Sequence, residues 1–460
     1  MLKAAEISPG PTLSRRLLGA ASWVVLGAGV THVARLVGNL IMTRLLAPEA
    51  FGLVAVASMV PTILSLLSDV GFRENICRNP KGEDQRFLDT VWSIQIVRGQ
   101  VLWLGCTLVA GLLYVAAQAG WIPRASTYGD PRMPWVLAVC ALGISLGSFH
   151  STKIFSENRR LRIKQVLMIE LTTQLLGIVA MIAIAALTRS IWAILIGSLI
   201  GTVSYTILTH TRLSGVNNRW CWDREHVADI MGFGKWIAWS SAFTVFASNG
   251  DKLLLGGFAS AQAMGLYSIA ATLIGSAESL VGQVMGRVAL PGLSEVARTA
   301  PERVPGAYFK LRSRFDPTML AISGLLFAAG DVVVRVMYDP RYQDAGHMLQ
   351  ILALGLIASR YTIALYLYIA MGRPKYSVVL NFVRCVSLYA IVGIGYLAYG
   401  IPGAVLGIAM REVPAVFVVW YFNSKHQLNN VALELRLLLF WPAGFVVGEI
   451  VSIIYARLVH

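Results

Sequence analysis

Apolar runs of about 20 residues recur from one end of this chain to the other, the length an α-helix needs to cross about 30 Å of hydrocarbon. The runs are continuous, without the alternating segments of about 10 residues that mark a transmembrane barrel. An all-α, polytopic membrane protein is therefore expected. Thirteen spans are predicted, at 17–42, 51–72, 88–117, 134–153, 165–187, 190–210, 232–257, 263–290, 314–338, 347–371, 376–399, 402–422 and 436–456. Composition agrees: 56% of the 460 residues are hydrophobic, 14% are charged and the mean hydropathy is +0.64, which leaves too little polar surface for a soluble protein.

The net charge of +15 would suit a nucleic-acid partner, but its distribution excludes one. With a cytoplasmic amino terminus, 25 Lys and Arg fall in cytoplasmic segments, among them Arg73 to Arg86, Lys153 to Lys164, Arg212 to Lys235 and Arg298 to Arg314. Six face outward: Arg44, Arg124, Arg132, Arg189, Arg341 and Arg457. This is the positive-inside pattern. Residues 1–16 form the cytoplasmic tail, and the Arg15-Arg16 pair followed by apolar sequence is expected to be an uncleaved start, since no small-residue cleavage site follows it. Cys106, Cys140 and Cys385 fall in spans and Cys77 and Cys221 in basic loops, so no disulfide framework is expected.

The chain also repeats itself. Leu46 to Ala57 aligns without a gap on Ala259 to Ala270, 213 positions on, with Gly52 facing Gly265. Leu137, Ala141, Leu142 and Gly143 face Leu349, Ala353, Leu354 and Gly355 at 212 positions, each set following an Asp-Pro-Arg turn. Two matches nearly in register predict a duplicated half. The lobes are then 17–210 and 232–422, joined by a cytoplasmic linker at 211–231, with an extra carboxyl-terminal helix in 423–460. Six spans in each half give the lobes one orientation, as for repeats related by an axis along the membrane normal.

Eight cations remain inside spans: Arg35, Arg98, Lys252, Arg287, Arg335, Arg360, Arg384 and Arg411. A charge at mid-bilayer costs about 2.5–3.5 kcal/mol on insertion scales, so it needs a cavity or a partner. Arg98, Arg287, Arg335 and Arg384 lie near span ends and are expected to snorkel. Arg35 and Arg360 lie too near mid-span for that and are expected to face a cavity. Asn249, Asp251 and Lys252 form the densest polar cluster, in the repeat partner of the first span, although Asp251 and Lys252 could neutralise each other. Arg411 and Glu412 are expected to pair. Glu170 and Glu278 are candidates for coupling to a proton or sodium gradient, because a carboxylate in low dielectric gains proton affinity; a carboxyl held protonated by a neighbour is the alternative. The excess of cations favours an anionic cargo, and the guanidinium fork suits a pyrophosphate.

No phosphate-binding loop, H-E-x-x-H motif or Cys/His cluster occurs, so no ATPase, metal or cofactor is expected. The longest outer loop, Gln118 to Met133, is short for a membrane glycosyltransferase or polymerase. The arginine-bearing first span followed by Thr43-Arg44-Leu45-Leu46-Ala47-Pro48-Glu49-Ala50-Phe51-Gly52-Leu53, the Asn249 to Gly256 run with Met264-Gly265-Leu266-Tyr267, and Leu352-Ala353-Leu354-Gly355 resemble the Wzx-type polysaccharide flippases. These belong to the superfamily that also holds multidrug and toxin extruders and the lipid II flippase. The resemblance covers about residues 15–422. It implies two six-helix lobes around a central cavity, moving undecaprenyl-pyrophosphate-linked oligosaccharide units across the bacterial inner membrane by alternating access. It also implies a cationic cavity, matched here to Arg35, Lys252 and Arg360, with membrane lipids as surroundings and a polymerase or other assembly proteins as candidate partners. The family commonly shows an even number of spans, so the thirteenth is a departure. The runner-up is an ion-coupled multidrug antiporter of the same superfamily; a membrane glycosyltransferase or polymerase comes third.

A reporter active only in the periplasm should be active when fused within 118–133 and silent within 211–231. The opposite result would reverse the orientation.

Overall fold

The computed structural model describes residues 13–68, 72, 76, 83–159, 163–284 and 290–459, and Cys77, Arg287 and tail residues 1–12 lie outside this set. Among the described residues all regular structure is helical. In chain order the helices are α1 (Leu13–Leu45), α2 (Pro48–Ala57), α3 (Met59–Leu67), α4 (Gln85–Gln118), α5 (Met133–Gly147), α6 (Lys153–Arg159), α7 (Ile163–Thr188), α8 (Trp192–Thr211), α9 (Arg224–Phe258) and α10 (Ala261–Val284). They continue as α11 (Leu290–Thr299), α12 (Val304–Met337), α13 (Ala345–Ala353), α14 (Gly355–Ser359), α15 (Ile363–Ala370), α16 (Pro374–Met410), α17 (Val413–Ser424), α18 (Val431–Leu438) and α19 (Phe440–Val459).

Each of the thirteen expected spans overlaps helix in its described residues, and eight stretches among the described residues are long and apolar enough to cross a membrane. One of the eight is Val431–Leu458, which includes the thirteenth expected span. The expected boundary between 376–399 and 402–422 appears as a break inside α16: Tyr399 leaves helical geometry and Gly400 takes φ +63°, a left-handed conformation that glycine adopts at no steric cost, just ahead of Pro402. The expected span 347–371 is broken into α13, α14, the 3-10 turn Arg360–Thr362 and α15.

Two compact units emerge, one from Met1–Ile41, Ser68–Gly105 and Ala141–Ala238, the other from Met42–Leu67, Cys106–Cys140 and Trp239–His460. In the first, α7 and α8 pack through glycine: a Cβ on Gly197 would lie 2.6 Å from Met181 Cβ, and one on Gly177 3.1 Å from the Gly197 carbonyl. The second repeats this 210 positions later, where a Cβ on Gly407 would lie 2.8 Å from the Ile391 carbonyl. Gly143 meets Leu199, and Gly355, 212 positions on, meets Ala409, 210 positions on from Leu199. These contacts recur in packing at nearly the spacing of the sequence repeat.

Within the second unit the two copies of the repeated motif touch. Gly52 of α2 abuts the carbonyl of Ala261, and Gly265 of α10 abuts the carbonyl of Pro48. Exchanging each residue for its copy 213 positions away turns one contact into the other, as in a self-complementary two-fold contact. The carbonyls of Leu46 and Ala259, a pair under the same exchange, each accept a hydrogen bond from a different donor. Thr127 donates its N–H and Oγ1 to the Ala259 carbonyl at 2.9 and 2.8 Å, and the Tyr342 hydroxyl donates to the Leu46 carbonyl at 2.9 Å. Both donors stand in the Asp-Pro-Arg turns, where Asp130 takes the Arg132 backbone N–H and Asp339 that of Arg341. The side-chain and backbone hydrogen bonds from Arg341 hold the Asp339 carboxyl below its ordinary range.

Gly265→Ala should therefore destabilise the protein by about 1–3 kcal/mol, because the clash is with backbone and cannot be relieved by a rotamer change. Gly111→Ala, with nothing within 4 Å, is the control. Equal thermal transitions for the two variants in detergent would contradict the contact.

Candidate functional site

The break at α13 to α15 places polar groups at mid-span. Ser323 donates to the freed Ala353 carbonyl at 2.7 Å, and Trp441 Nε1 donates to Ser323 Oγ at 3.1 Å, so the carboxyl-terminal helix supports the break. Helix α19 lies along α12 where Gly444 and Gly448 meet Ala321 and Leu325. Ser359, ahead of the 3-10 turn, donates to Glu278 Oε1 at 2.6 Å.

Two adjoining cavities of the second unit, about 150 and 180 Å³, share Glu278, Ser359, Arg411 and Glu412. The first is also walled by Asp316 and Arg360, the second by Asp251, Lys252 and Tyr267. Asp251 accepts the Tyr267 hydroxyl, its Oδ1 has no partner, and the ion pair entertained between Asp251 and Lys252 does not form. Asn249 is two residues from Asp251, about 200° around the helix, and lines neither cavity. The structure thus brings Asp251, Lys252 and Glu278 together and leaves Asn249 aside.

Arg360 lines the first cavity, and its charge is already engaged there: Nη1 lies 3.4 Å from Asp316 Oδ2 and Nη2 2.9 Å from Glu434 Oε2. Arg312 is paired with the same two carboxylates, its Nε 2.9 Å from Asp316 Oδ2, and the Tyr361 hydroxyl donates to Glu434 at 2.9 Å. These four charges are 0–8% exposed and sum to zero, as burial requires. Sequence reasoning left Arg312 in a cytoplasmic loop and passed over Asp316 and Glu434; the available signal was the i, i+4 spacing of Arg312 and Asp316, which puts them on one helix face. Arg384, expected to snorkel, instead lies 2.6 Å from Glu412, which also pairs with Arg411 at 3.7 Å. Arg98 donates to the Ser68 carbonyl at 2.8 Å. Arg335 is half-exposed and 2.7 Å from Asp331.

The first unit holds a separate cavity of about 410 Å³, whose lining includes Arg35, His150, Glu170, Gln174 and Tyr205. Glu170 and Tyr205 interact through their side chains, and the His150 ring stands edge-on to Tyr205 at 4.7 Å. Arg35 and Lys252 are the two intramembrane cations that make no hydrogen bond or ion pair with another described residue. No cluster of metal-ligating side chains occurs among the described residues.

Residues 41–347 match the family described as "Polysaccharide biosynthesis protein". "Amylovoran biosynthesis protein AmsL" of Erwinia amylovora is 28% identical over 125 residues, and the match spans 26% of this chain and 31% of that relative. Of solved structures, "Lipid II flippase MurJ, inward closed conformation" superposes with a TM-score of 0.68 at 14% identity, over 95% of this chain and 99% of the other. An inward-facing multidrug resistance MATE family transporter of the MOP superfamily superposes with a TM-score of 0.61 at 15% identity, over 93% and 97%. The shared fold is that of multi-pass membrane transporters.

Glu434→Ala leaves two buried guanidinium groups facing Asp316 and should cost about 3–5 kcal/mol. Removing Arg312 as well, in an Arg312→Met, Glu434→Ala double variant, restores neutrality and should recover part of the loss in detergent melting curves. Strictly additive losses would show that the cluster is not coupled.

Proposed function

Because the chain belongs to the polysaccharide biosynthesis protein family, we propose that this multi-pass membrane transporter flips undecaprenyl-pyrophosphate-linked oligosaccharide units across the bacterial inner membrane, with its amino terminus cytoplasmic. The observation that carries the reading is the pair of unpaired cations. Arg312, Arg360, Arg384 and Arg411 are all matched to carboxylates, whereas Arg35 and Lys252 have no partner among the described residues. A charge left in that state costs about 2.5–3.5 kcal/mol unless an anion or water meets it. A pyrophosphate supplies such an anion, and the Arg35 fork can take two of its oxygens. Arg360 then serves to hold the α13–α15 break, not the cargo.

The lobes 17–210 and 232–422 would exchange access around the cargo, and Arg35 and Lys252 are each a candidate cation for its phosphate. Such exchange requires the Gly52–Gly265 contact to open. Glu170 and Glu278 are the groups through which an ion gradient would act, each already engaged by a hydroxyl that can follow a change of protonation. A polymerase and other assembly proteins would receive the product. Nothing in this scheme requires a bond to be made or broken, so the protein acts as a carrier and not as an enzyme.

Flipping of a fluorescent polyprenyl-pyrophosphate sugar in proteoliposomes tests this. Arg35→Ala and Lys252→Ala should each weaken cargo binding roughly ten- to a hundredfold, the contribution of one charge-assisted hydrogen bond. Arg35→Lys should recover part, since a point charge lacks the fork. Arg298→Ala, an exposed residue paired to Glu295, should change little. Unimpaired flipping by the Arg35→Ala, Lys252→Ala double variant would overturn the proposal, and flux of an organic cation in its place would favour the multidrug alternative.

A further inference from the structure

Beside the Arg35 cavity the first unit carries a second, apolar groove of about 610 Å³ between α1 and α7. Val33, Val37 and Ile41 form one wall and Leu175, Ile178 and Ile182 the other. The helices are pinned at two places. Gln174 donates to the Thr31 carbonyl at 3.1 Å, and Gly38 lets Ile178 approach so closely that a Cβ there would lie 2.9 Å from Ile178 Cγ2. Between and beyond these points Val33, Val37 and Ile41 of α1 remain 39–61% exposed, and Leu175 across from them 47%. The groove follows α1 from Gly29 to Ile41, about 18 Å at the usual helical rise. Ile178 lines both the groove and the Arg35 cavity, so the two adjoin at that side chain.

We propose that this groove holds the isoprenoid chain of the lipid-linked cargo while Arg35 holds its phosphate, an inference that rests on the flippase reading above and adds the path of the lipid tail. The position of the charge selects this occupant. A phospholipid of the surrounding bilayer keeps its phosphate at the interface, whereas Arg35 lies near mid-span among the groove residues Val33, Ala34 and Val37. Only a lipid whose phosphate is drawn into the membrane can fill the groove and neutralise Arg35 at once. An isoprenoid is apolar along its length, so it needs no hydrogen bonds from walls that offer almost none.

The full-length protein in nanodiscs of phosphatidylethanolamine and phosphatidylglycerol, with a polyprenyl pyrophosphate bearing a benzophenone in its tail, provides the test. Photolabelling should concentrate on peptides containing residues 29–41 and 175–182. Unlabelled polyprenyl pyrophosphate should compete, and added phosphatidylglycerol should not. The Val33→Trp, Val37→Trp double variant fills the groove and should lower labelling roughly tenfold, equivalent to about 1.4 kcal/mol. Leu175→Trp, on the facing helix, repeats the test if the double variant fails to insert. Labelling spread over the whole hydrophobic belt, competition by phosphatidylglycerol, or indifference to both tryptophan variants would overturn the groove. If flipping still depended on Arg35 and Lys252 in that case, the transport reading would stand. Absence of labelling together with absence of flipping would overturn both.

Discussion

The contact on which the second unit depends is the close approach of α2 and α10, where Gly52 and Gly265 each bring backbone against backbone. Two helices can come this near only where neither carries a Cβ at the crossing, and the gain is dispersion and backbone packing instead of hydrophobic burial, which has little force between helices already in lipid. Because the two helices are copies of one motif, each supplies both halves of the contact, and the turns carrying Thr127 and Tyr342 cap it at the paired carbonyls of Ala259 and Leu46. A joint made of small residues and a few hydrogen bonds, without interlocked large side chains, can part and re-form at modest cost.

The charges inside the membrane divide into two populations. Arg312, Asp316, Arg360 and Glu434 form a neutral block around the α13–α15 break, and Arg384, Glu412 and Arg411 form a second group nearby in sequence. Their mutual pairing offsets the cost of desolvation and fixes the irregular backbone beside them. Arg35 and Lys252 stand outside both groups. It is the pairing of Arg312, Arg360, Arg384 and Arg411 with carboxylates that makes these two conspicuous among the described residues, since an unmatched cation in a protein able to build neutral clusters points to a partner from outside the chain.

The sequence made much of this legible, for identifiable reasons. Continuous apolar length reports a spanning helix whatever packs against it, so the thirteen spans overlap helices in their described residues, down to the break at Tyr399 and Gly400. The repeat was readable because Gly52 and Gly265 sit under a backbone constraint that admits no other side chain. The 210-residue offset that relates Gly197 to Gly407 was not, because a glycine in an apolar helix carries no mark of what it touches. Arg35 was singled out by its depth in its span, and Lys252 by the polar cluster it forms with Asn249 and Asp251 in the repeat partner of that span. Arg312, Asp316 and Glu434 escaped because they lie at the expected starts of the spans 314–338 and 436–456, where sequence cannot distinguish a solvated charge from a buried one; only the three-dimensional convergence of α12, the Arg360 turn and α18 makes them a cluster.

That convergence gives the carboxyl-terminal segment a role beyond an appended span. Glu434 of α18 supplies one of the two anions of the neutral block, and Trp441 of α19 donates to the serine that satisfies the broken backbone at Ala353. Without Glu434, Arg360 would share Asp316 with Arg312, leaving one positive charge in excess on the wall of the Asp316 cavity. On the flippase reading proposed above, a second anion-seeking charge there would compete with Lys252 for the cargo. By neutralising Arg360, α18 would leave Lys252 as the one cation lining these two cavities that has no ion pair among the described residues.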